Sequence, residues 1–269
     1  MDNYLKGNRE LWNELTHIHE NSDFYDVKRF KANKSTLKPI ELAEVGEVSD
    51  RSLLHLQCHF GMDTLSWARA GANVTGVDFS DKANALAQSL SRDLNINANF
   101  ICSDIFDLPQ KLTGNFDIVF TSYGVLCWLP DLKRWAEIIN HFLKPAGFFY
   151  IVEGHPIMNV FHNSRGVTEL KVSQSYFHKP SPIKWDPEGD YADKNAAVVH
   201  PSYEWTHSLG DIINALINAG LRIDFLHEFP ISAYQCCDYA QKGIDGWWHI
   251  EGDRVPMLFS IKATKPISE

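Results

Sequence analysis

Between residues 52 and 153, short apolar runs alternate with segments of helical period. SLLHLQ (52–57) predicts a first strand, and MDTLSWARA, stopped at Gly71, predicts the helix after it. NVTGVD (73–78) predicts a second strand. Ser80 is placed to cap the next helix, DKANALAQSLSRDL, in which Ala83, Leu86, Ala87, Leu90 and Leu94 recur at helical spacing. NFICSD (99–104) and FDIVFTS (116–122) predict the third and fourth strands. Pro130 and Asp131 open a helix with Leu132, Trp135, Ile138, Ile139, Phe142 and Leu143 near one face; KPAG at Lys144–Gly147 ends it before the strand FFYIVE. Further on, Ser208–Asp211 reads as a capping box before IINALINA, with Gly220 as the stop. RIDFLHEF and MLFSIKATK then predict two closing strands joined by a long connection.

Alternation of this length implies right-handed crossovers and a mostly parallel sheet covered on both faces, an α/β doubly wound architecture. Continuous apolar strands such as DIVF and FFYIV suit burial on both sides. Two stretches break the alternation. Residues 1–50 are partly helical, with Leu11, Trp12, Leu15 and Ile18 on one side, and residues 154–207 are too long and too rich in Pro and aromatics for a plain connection. The expected organisation is an N-terminal helical cap (1–50) and a main domain (51–269) with a substrate-cap insertion at 154–207.

Composition narrows the partners. The 269 residues carry 25 Lys+Arg against 34 Asp+Glu, a formal charge of -9 that disfavours sequence-independent binding of nucleic acid. Residues 185–205 add Asp186, Glu188, Asp190, Asp193 and Glu204 against Lys194 alone. With 44% hydrophobic and 22% charged residues the chain reads as a folded protein. It has no apolar run long enough for a membrane span, and its charged start is unlike a secretory leader. Five cysteines without framework spacing read as reduced thiols, and the expected location is cytoplasmic.

In an open parallel sheet, ligands bind beyond the carboxyl ends of the strands near the switch in strand order. The polar groups at those ends are Gln57, Cys58, His59 and Gly61 after the first strand, Asp78 after the second, Asp104 after the third, and Ser122-Tyr123-Gly124 after the fourth. Asp78 is placed to accept hydrogen bonds from both hydroxyls of a ribose; the competing reading is a helix N-terminal charge. Asp104 would accept from an adenine amino group, with Ile105 against the ring, or stand as a solvated turn residue. Tyr123, and His155 just past the fifth strand, are the candidates for handling a proton. No P-loop and no G-x-S-x-G is present, and QCHFGMD holds one glycine where a nicotinamide dehydrogenase needs G-x-G-x-x-G. His17-Ile-His19-Glu20 reads as a solvated helix end and Cys236-Cys237 as two ordinary cysteines, so no metal site is expected.

LLHLQCHFG, VTGVDFS, ICSDIFDLP, FDIVFTSYGVLCWL and LKPAGFFYI resemble, in order and spacing, the motifs of class I S-adenosylmethionine-dependent methyltransferases. The resemblance covers about residues 51–153 well and 208–265 loosely. It implies a Rossmann-like seven-stranded sheet with the last strand antiparallel, S-adenosylmethionine as cofactor, and methyl transfer to a small molecule by in-line displacement. The cofactor set it implies is Gln57, Cys58, Gly61, Asp78, Phe79, Ser80, Asp104, Ile105, Ser122 and Tyr123. Trp12, Phe24, Tyr25, Tyr176, Tyr203 and Trp205 are the expected walls of the acceptor pocket, or else the two stretches form a rigid lid at a homodimer interface. The chain departs from the family's D-x-G-x-G-x-G pattern with His55, Gln57 and His59 before Gly61. That departure is the best support for the competing function, a non-catalytic nucleoside-binding protein; an NAD-dependent oxidoreductase is the more distant alternative.

Overall fold

The computed structural model describes residues 3–161, 166–187 and 189–267. Glu188 of the acidic stretch lies outside them. Helices α1 (Asn3–Glu20), α2 (Val27–Lys31) and α3 (Pro39–Val45) precede the main sheet. The sheet is built from β1 (Ser52–Leu56), β2 (Asn73–Asp78), β3 (Asn99–Cys102), β4 (Phe116–Ser122), β5 (Leu143–Gly154), β6 (Arg222–Phe229) and β7 (Leu258–Thr264). Its connecting helices are α4 (Met62–Arg69), α5 (Asp81–Asp93), α6 (Leu132–Phe142) and α7 (Leu209–Asn218).

The strand order is β3-β2-β1-β4-β5-β7-β6. Strands β1 to β5 pair in parallel. The last strand, β7, inserts antiparallel between β5 and β6, with Ile261 opposite both Ile151 and Leu226. The expected seven-stranded, mostly parallel sheet is therefore observed, including its reversed final strand. Both faces are buried, as the apolar strand runs required. Leu54, Val119, Phe149 and Ile151 meet Trp135 and Ile139 of α6 and Ile212 and Leu216 of α7 on one side. Leu53, Ile118, Phe120, Tyr150 and Val152 meet Trp67 of α4 and Val45 of α3 on the other. Adjacent residues alternate between the two cores because side chains alternate across a strand.

The sequence-predicted caps hold. Ser80 accepts the Ala83 amide at 3.0 Å, Asp131 accepts Arg134 at 3.0 Å, and Ser208 accepts Asp211 at 3.1 Å. One boundary differs: strand pairing begins at Leu143, directly after α6, so KPAG belongs to β5. Ala146 takes a left-handed φ of 63° there, and the register with β4 shifts between Phe116 and Ile118.

In α1 the buried positions are Asn8, Leu11, Leu15, Thr16 and His19, a stripe that includes a histidine where a solvated helix end was expected. Two short strands, Ile183–Trp185 and Ser202–Glu204, pair within residues 154–207. The connection from β6 to β7 carries a small three-stranded sheet of Ile231–Ser232, Gln241–Lys242 and Trp248–His249.

Candidate functional site

Strand order reverses between β1 and β4, and a cavity of about 410 Å³ opens beyond their carboxyl ends. Its floor is the turn after β1. Gln57 (φ 55°), His59 (φ 51°) and Gly61 (φ 75°) all have left-handed backbones there. Two of these are L-residues in a region that costs them about 1–2 kcal/mol each, so the surroundings must hold the turn in place. Cys58 N–H donates to Val77 O at 2.9 Å and His59 N–H to Asp78 Oδ2 at 2.8 Å. The Gln57 amide nitrogen donates to Val125 O at 3.0 Å, while its Oε1 is buried without a partner.

Asp78 stands at the end of β2, 6% exposed, with Oδ1 accepting the Ser80 amide at 2.9 Å. Burial pushes its carboxyl up to about 6 against these backbone donors. Both readings of this residue meet here: it organises the start of α5 and still lines the cavity with lone pairs to spare. Asp104, at the end of β3, lines the cavity beside Ile105; its Oδ1 accepts the Phe106 amide at 2.9 Å, and burial raises its carboxyl.

After β4 the chain turns through Tyr123 (φ 37°) and Gly124 (φ 81°). That turn is held by Glu153 of β5, a buried carboxylate that accepts the amides of Gly124 at 2.5 Å, Val125 at 2.7 Å and Leu126 at 3.3 Å. The Tyr123 hydroxyl donates to Glu41 Oε2 at 2.9 Å. Burial and this carboxylate push the phenol well above its ordinary range, and burial pushes Glu41 up to about 7. The Tyr123 hydroxyl is thus committed as a hydrogen-bond donor to Glu41.

Asp63, in the first turn of α4, also faces the cavity. It accepts from Thr36 Oγ1 at 2.5 Å and from Ser122 Oγ at 3.3 Å. Its carboxylate acts electrostatically on His55 of β1. His55 itself bonds Thr64 Oγ1 at 2.8 Å and is held near 4 by burial, hence neutral.

The cavity brings together Gln57, Cys58, Gly61, Asp78, Phe79, Asp104, Ile105, Ser122 and Tyr123, together with Trp12, Phe24 and Tyr25. It does not take in five other candidates. Ser80 is fully buried, its hydroxyl committed to capping α5 and to donating to Asn13 Oδ1 at 2.7 Å. His155 Nδ1 accepts the Ile157 amide at 3.1 Å and its Nε2 lies 2.9 Å from Glu228, away from the cavity. The Tyr176 hydroxyl accepts the Leu209 amide at 3.1 Å. Tyr203 exchanges backbone bonds with the Asn8 side chain at 2.7 and 2.8 Å, and Trp205 is buried with its indole donating to Pro180 O at 3.2 Å. These three aromatics fasten the insertion to α1, α7 and itself.

Their expected place is taken by Tyr191, from the insertion, and Tyr234, from the β6–β7 connection. Tyr191 shares a 2.5 Å hydroxyl contact with Tyr25, and Tyr234 packs against Phe24 (5.0 Å) and Tyr123 (5.4 Å). On the same side, His59 Nε2 lies 2.9 Å from His19 Nδ1, and His19 Nε2 lies 2.9 Å from Asp190 Oδ1. Nothing in the local pattern of either histidine announced this contact. Among the described residues no group of three or more His, Cys, Asp or Glu is arranged to hold a metal, and no helix is long and apolar enough to cross a membrane.

Residues 54–151 match a family described as methyltransferase domain. Phosphoethanolamine N-methyltransferase 1 of Triticum aestivum is 27% identical over 146 residues, 53% of this chain and 28% of that protein. Ubiquinone biosynthesis O-methyltransferase of Chromobacterium violaceum is 28% identical over 103 residues, 38% of this chain and 44% of that protein. The chain thus spans less than half the length of these two curated relatives. An S-adenosylmethionine-dependent methyltransferase from Mesorhizobium loti superposes with a TM-score of 0.60 at 23% identity, covering 84% of this chain and 96% of that one.

Proposed function

We propose that this chain, whose residues 54–151 match a methyltransferase-domain family, is a class I S-adenosylmethionine-dependent methyltransferase that methylates a small molecule enclosed between the sheet and its covering segments. The observation that carries the proposal is the shared cavity: strand-end polar groups form its floor and aromatic rings from three separate segments form its walls.

The residues present fit the cofactor. Asp78 offers an acceptor carboxylate at a strand end, Gln57 Oε1 is a buried acceptor without a donor, and the left-handed turn at 57–61 keeps the backbone of a glycine-rich loop. Asp78 would hold the ribose, Phe79, Asp104 and Ile105 the adenine, and the turn at Gln57–Gly61 the methionine portion. Asp63, with Ser122, would face the ammonium end. When bound, the cofactor supplies a methyl group on a sulfonium, already activated toward displacement.

The protein's own task is then to orient and to exclude water. Phe24, Tyr25, Tyr191 and Tyr234 supply mostly apolar walls, and Tyr123 and Asp63 supply polar groups of the kind that fix a ligand's orientation. An enclosed site of this kind, in a chain of net charge -9, favours a small acceptor over a nucleic acid. Residues 5–38 supply much of the wall and the insertion supplies Tyr191, which supports reading the N-terminal segment, with Tyr191 of the insertion, as a substrate cap on a main domain of residues 51–269. A cytoplasmic location rests on the sequence, in which five cysteines have no framework spacing.

The test has two stages. Thermal unfolding with S-adenosylmethionine, S-adenosylhomocysteine and NAD should show stabilisation by the first two only. A metabolite panel with mass detection of a 14 Da gain, about one CH₂, should then yield a methylated product. A folded protein stabilised by neither sulfur ligand would overturn the proposal.

A further inference from the structure

Three segments distant in sequence meet at His59. His19 comes from α1, Asp190 from the insertion, and His59 from the left-handed turn after β1. An ionised carboxylate only accepts hydrogen bonds, so Asp190 requires the proton of His19 on Nε2. With His19 as the neutral imidazole its Nδ1 is an acceptor, and the proton of the 2.9 Å contact is then assigned to His59 Nε2. His59 Nδ1 is left with a free lone pair, buried and without any partner, on a ring that lines the cavity. The arrangement is further confined: Trp12 meets the His59 ring edge-on at 5.1 Å, Tyr25 stacks on His19 at 4.8 Å, and Asp190 Oδ1 also accepts the Ala192 amide at 2.8 Å.

We propose that His59 is the proton acceptor of the methyl-transfer reaction, with His19 and Asp190 as positioning residues that fix its tautomer and steady the imidazolium once it forms. The proposal rests on the methyl-transfer reading and adds the class of acceptor: a nucleophile that carries a proton, such as a hydroxyl, an amine or a thiol. In the step, a lone pair of the nucleophile bonds the methyl carbon as the carbon–sulfur pair stays on sulfur. The nucleophile's proton passes to His59 Nδ1 and from there to solvent after product leaves. The structural logic is that of a histidine oriented by a carboxylate, lengthened by one imidazole. Burial and the neighbouring His19 hold His59 well below the usual histidine range, so it waits as the free base. The titratable groups facing this relay are Tyr25, Tyr191 and Asp190, with the Asp78 carboxylate on the His59 amide.

Protein labelled with nitrogen-15 histidine and saturated with S-adenosylhomocysteine reports the tautomers directly. The His59 signals, identified by their loss in His59→Gln, should show an unprotonated Nδ1 and a protonated Nε2 at neutral pH. Asp190→Ala should abolish that fixed pattern while changing the affinity for S-adenosylhomocysteine less than threefold, and Asp190→Glu should restore part of it. A protonated Nδ1 in the wild type, or an unchanged pattern in Asp190→Ala, overturns the proposal.

The second arm compares two reactions. Forming S-adenosylmethionine from S-adenosylhomocysteine and methyl iodide moves no proton, whereas methylating a phenol, an amine or a thiol does. Asp190→Ala and His19→Gln should lower kcat on the proton-bearing panel tenfold or more, with KM changed less than threefold. The methyl iodide reaction should stay within twofold. Equal losses in both reactions, no loss in either, or a wild type that uses methyl iodide and no member of the panel each overturns it. A wild type that neither binds S-adenosylhomocysteine nor reacts with methyl iodide removes the methyl-transfer reading itself, and the base with it.

Discussion

Asp78 Oδ2 accepts the backbone amide of His59 at 2.8 Å, joining the end of β2 to the turn after β1. A residue expected to hold a ribose therefore also holds the turn that must pass beneath the ligand. Pre-organisation of the floor and recognition of the ligand run through one carboxylate.

Replacing that carboxylate should affect both roles. Asp78→Asn keeps the shape but loses acceptor capacity, and should weaken S-adenosylhomocysteine binding by about 1.5–3 kcal/mol, the range for a lost bond to a charged group. Asp78→Ala should in addition lower the melting temperature of the free protein, because two backbone donors lose their partner. Calorimetry and thermal unfolding read the two effects separately. Unchanged affinity in both variants would remove Asp78 from the ligand site.

Cofactor affinity should also depend on pH through the same group. Burial raises Asp78 from 3.8 to about 6, and the hydroxyls of a ribose donate best to the ionised form. Binding of S-adenosylhomocysteine should therefore weaken as pH falls through about 6 in the wild type. Asp78→Asn should show a flatter profile over the same range. A wild-type affinity constant from pH 5 to 8 contradicts this.

At position 57 the usual ranking of alanine over glycine should invert. Gln57 holds φ at 55°, a conformation open to glycine but costing an L-residue about 1 kcal/mol or more. Gln57→Gly loses the bond to Val125 O and gains relief of that strain, whereas Gln57→Ala loses the bond and keeps the strain. Denaturant titration should place the glycine variant as the more stable of the two. The reverse order would mean that the turn does not keep its left-handed backbone.

Glu41 should make stability fall as pH rises. Its carboxyl goes from 4.5 in the unfolded chain to about 7 when buried, so between those values the native state binds more protons than the unfolded state. The slope of unfolding free energy with pH is then negative across that window, and the stabilisation present below 4.5 is gone above about 7. Glu41→Gln, which keeps an acceptor for the Tyr123 hydroxyl, should flatten the stability curve from pH 4.5 to 7. An identical curve for both proteins contradicts the burial of Glu41 as an acid.

The fold was legible because its signals are local. Runs such as DIVF and FFYIV, closed by turn residues, mark strands buried on both faces, and Ser80, Asp131 and Ser208 mark helix starts through bonds only three residues long. The floor of the cavity was legible for a related reason: in a parallel sheet the strand ends are already the ligand side, so Asp78, Asp104 and Ser122 followed from the strands. The walls were not. An aromatic outside the alternation reads the same whether it lines a cavity, as Tyr191 and Tyr234 do, or ties a segment down, as Tyr203 and Trp205 do. His59 lies 40 residues from His19, and His19 lies 171 from Asp190, so no periodicity or spacing connects them. Glu153 escaped notice for the opposite reason: it ends an apolar strand, and its role appears only when the turn at Gly124–Leu126 folds onto it.

The most direct test of the account is an isothermal titration of the purified wild-type protein with S-adenosylhomocysteine, and in parallel with NAD. One saturable site for the sulfur ligand and no heat with NAD is the expected result. A folded protein that takes up no S-adenosylhomocysteine, or that binds NAD at least as well, would contradict it.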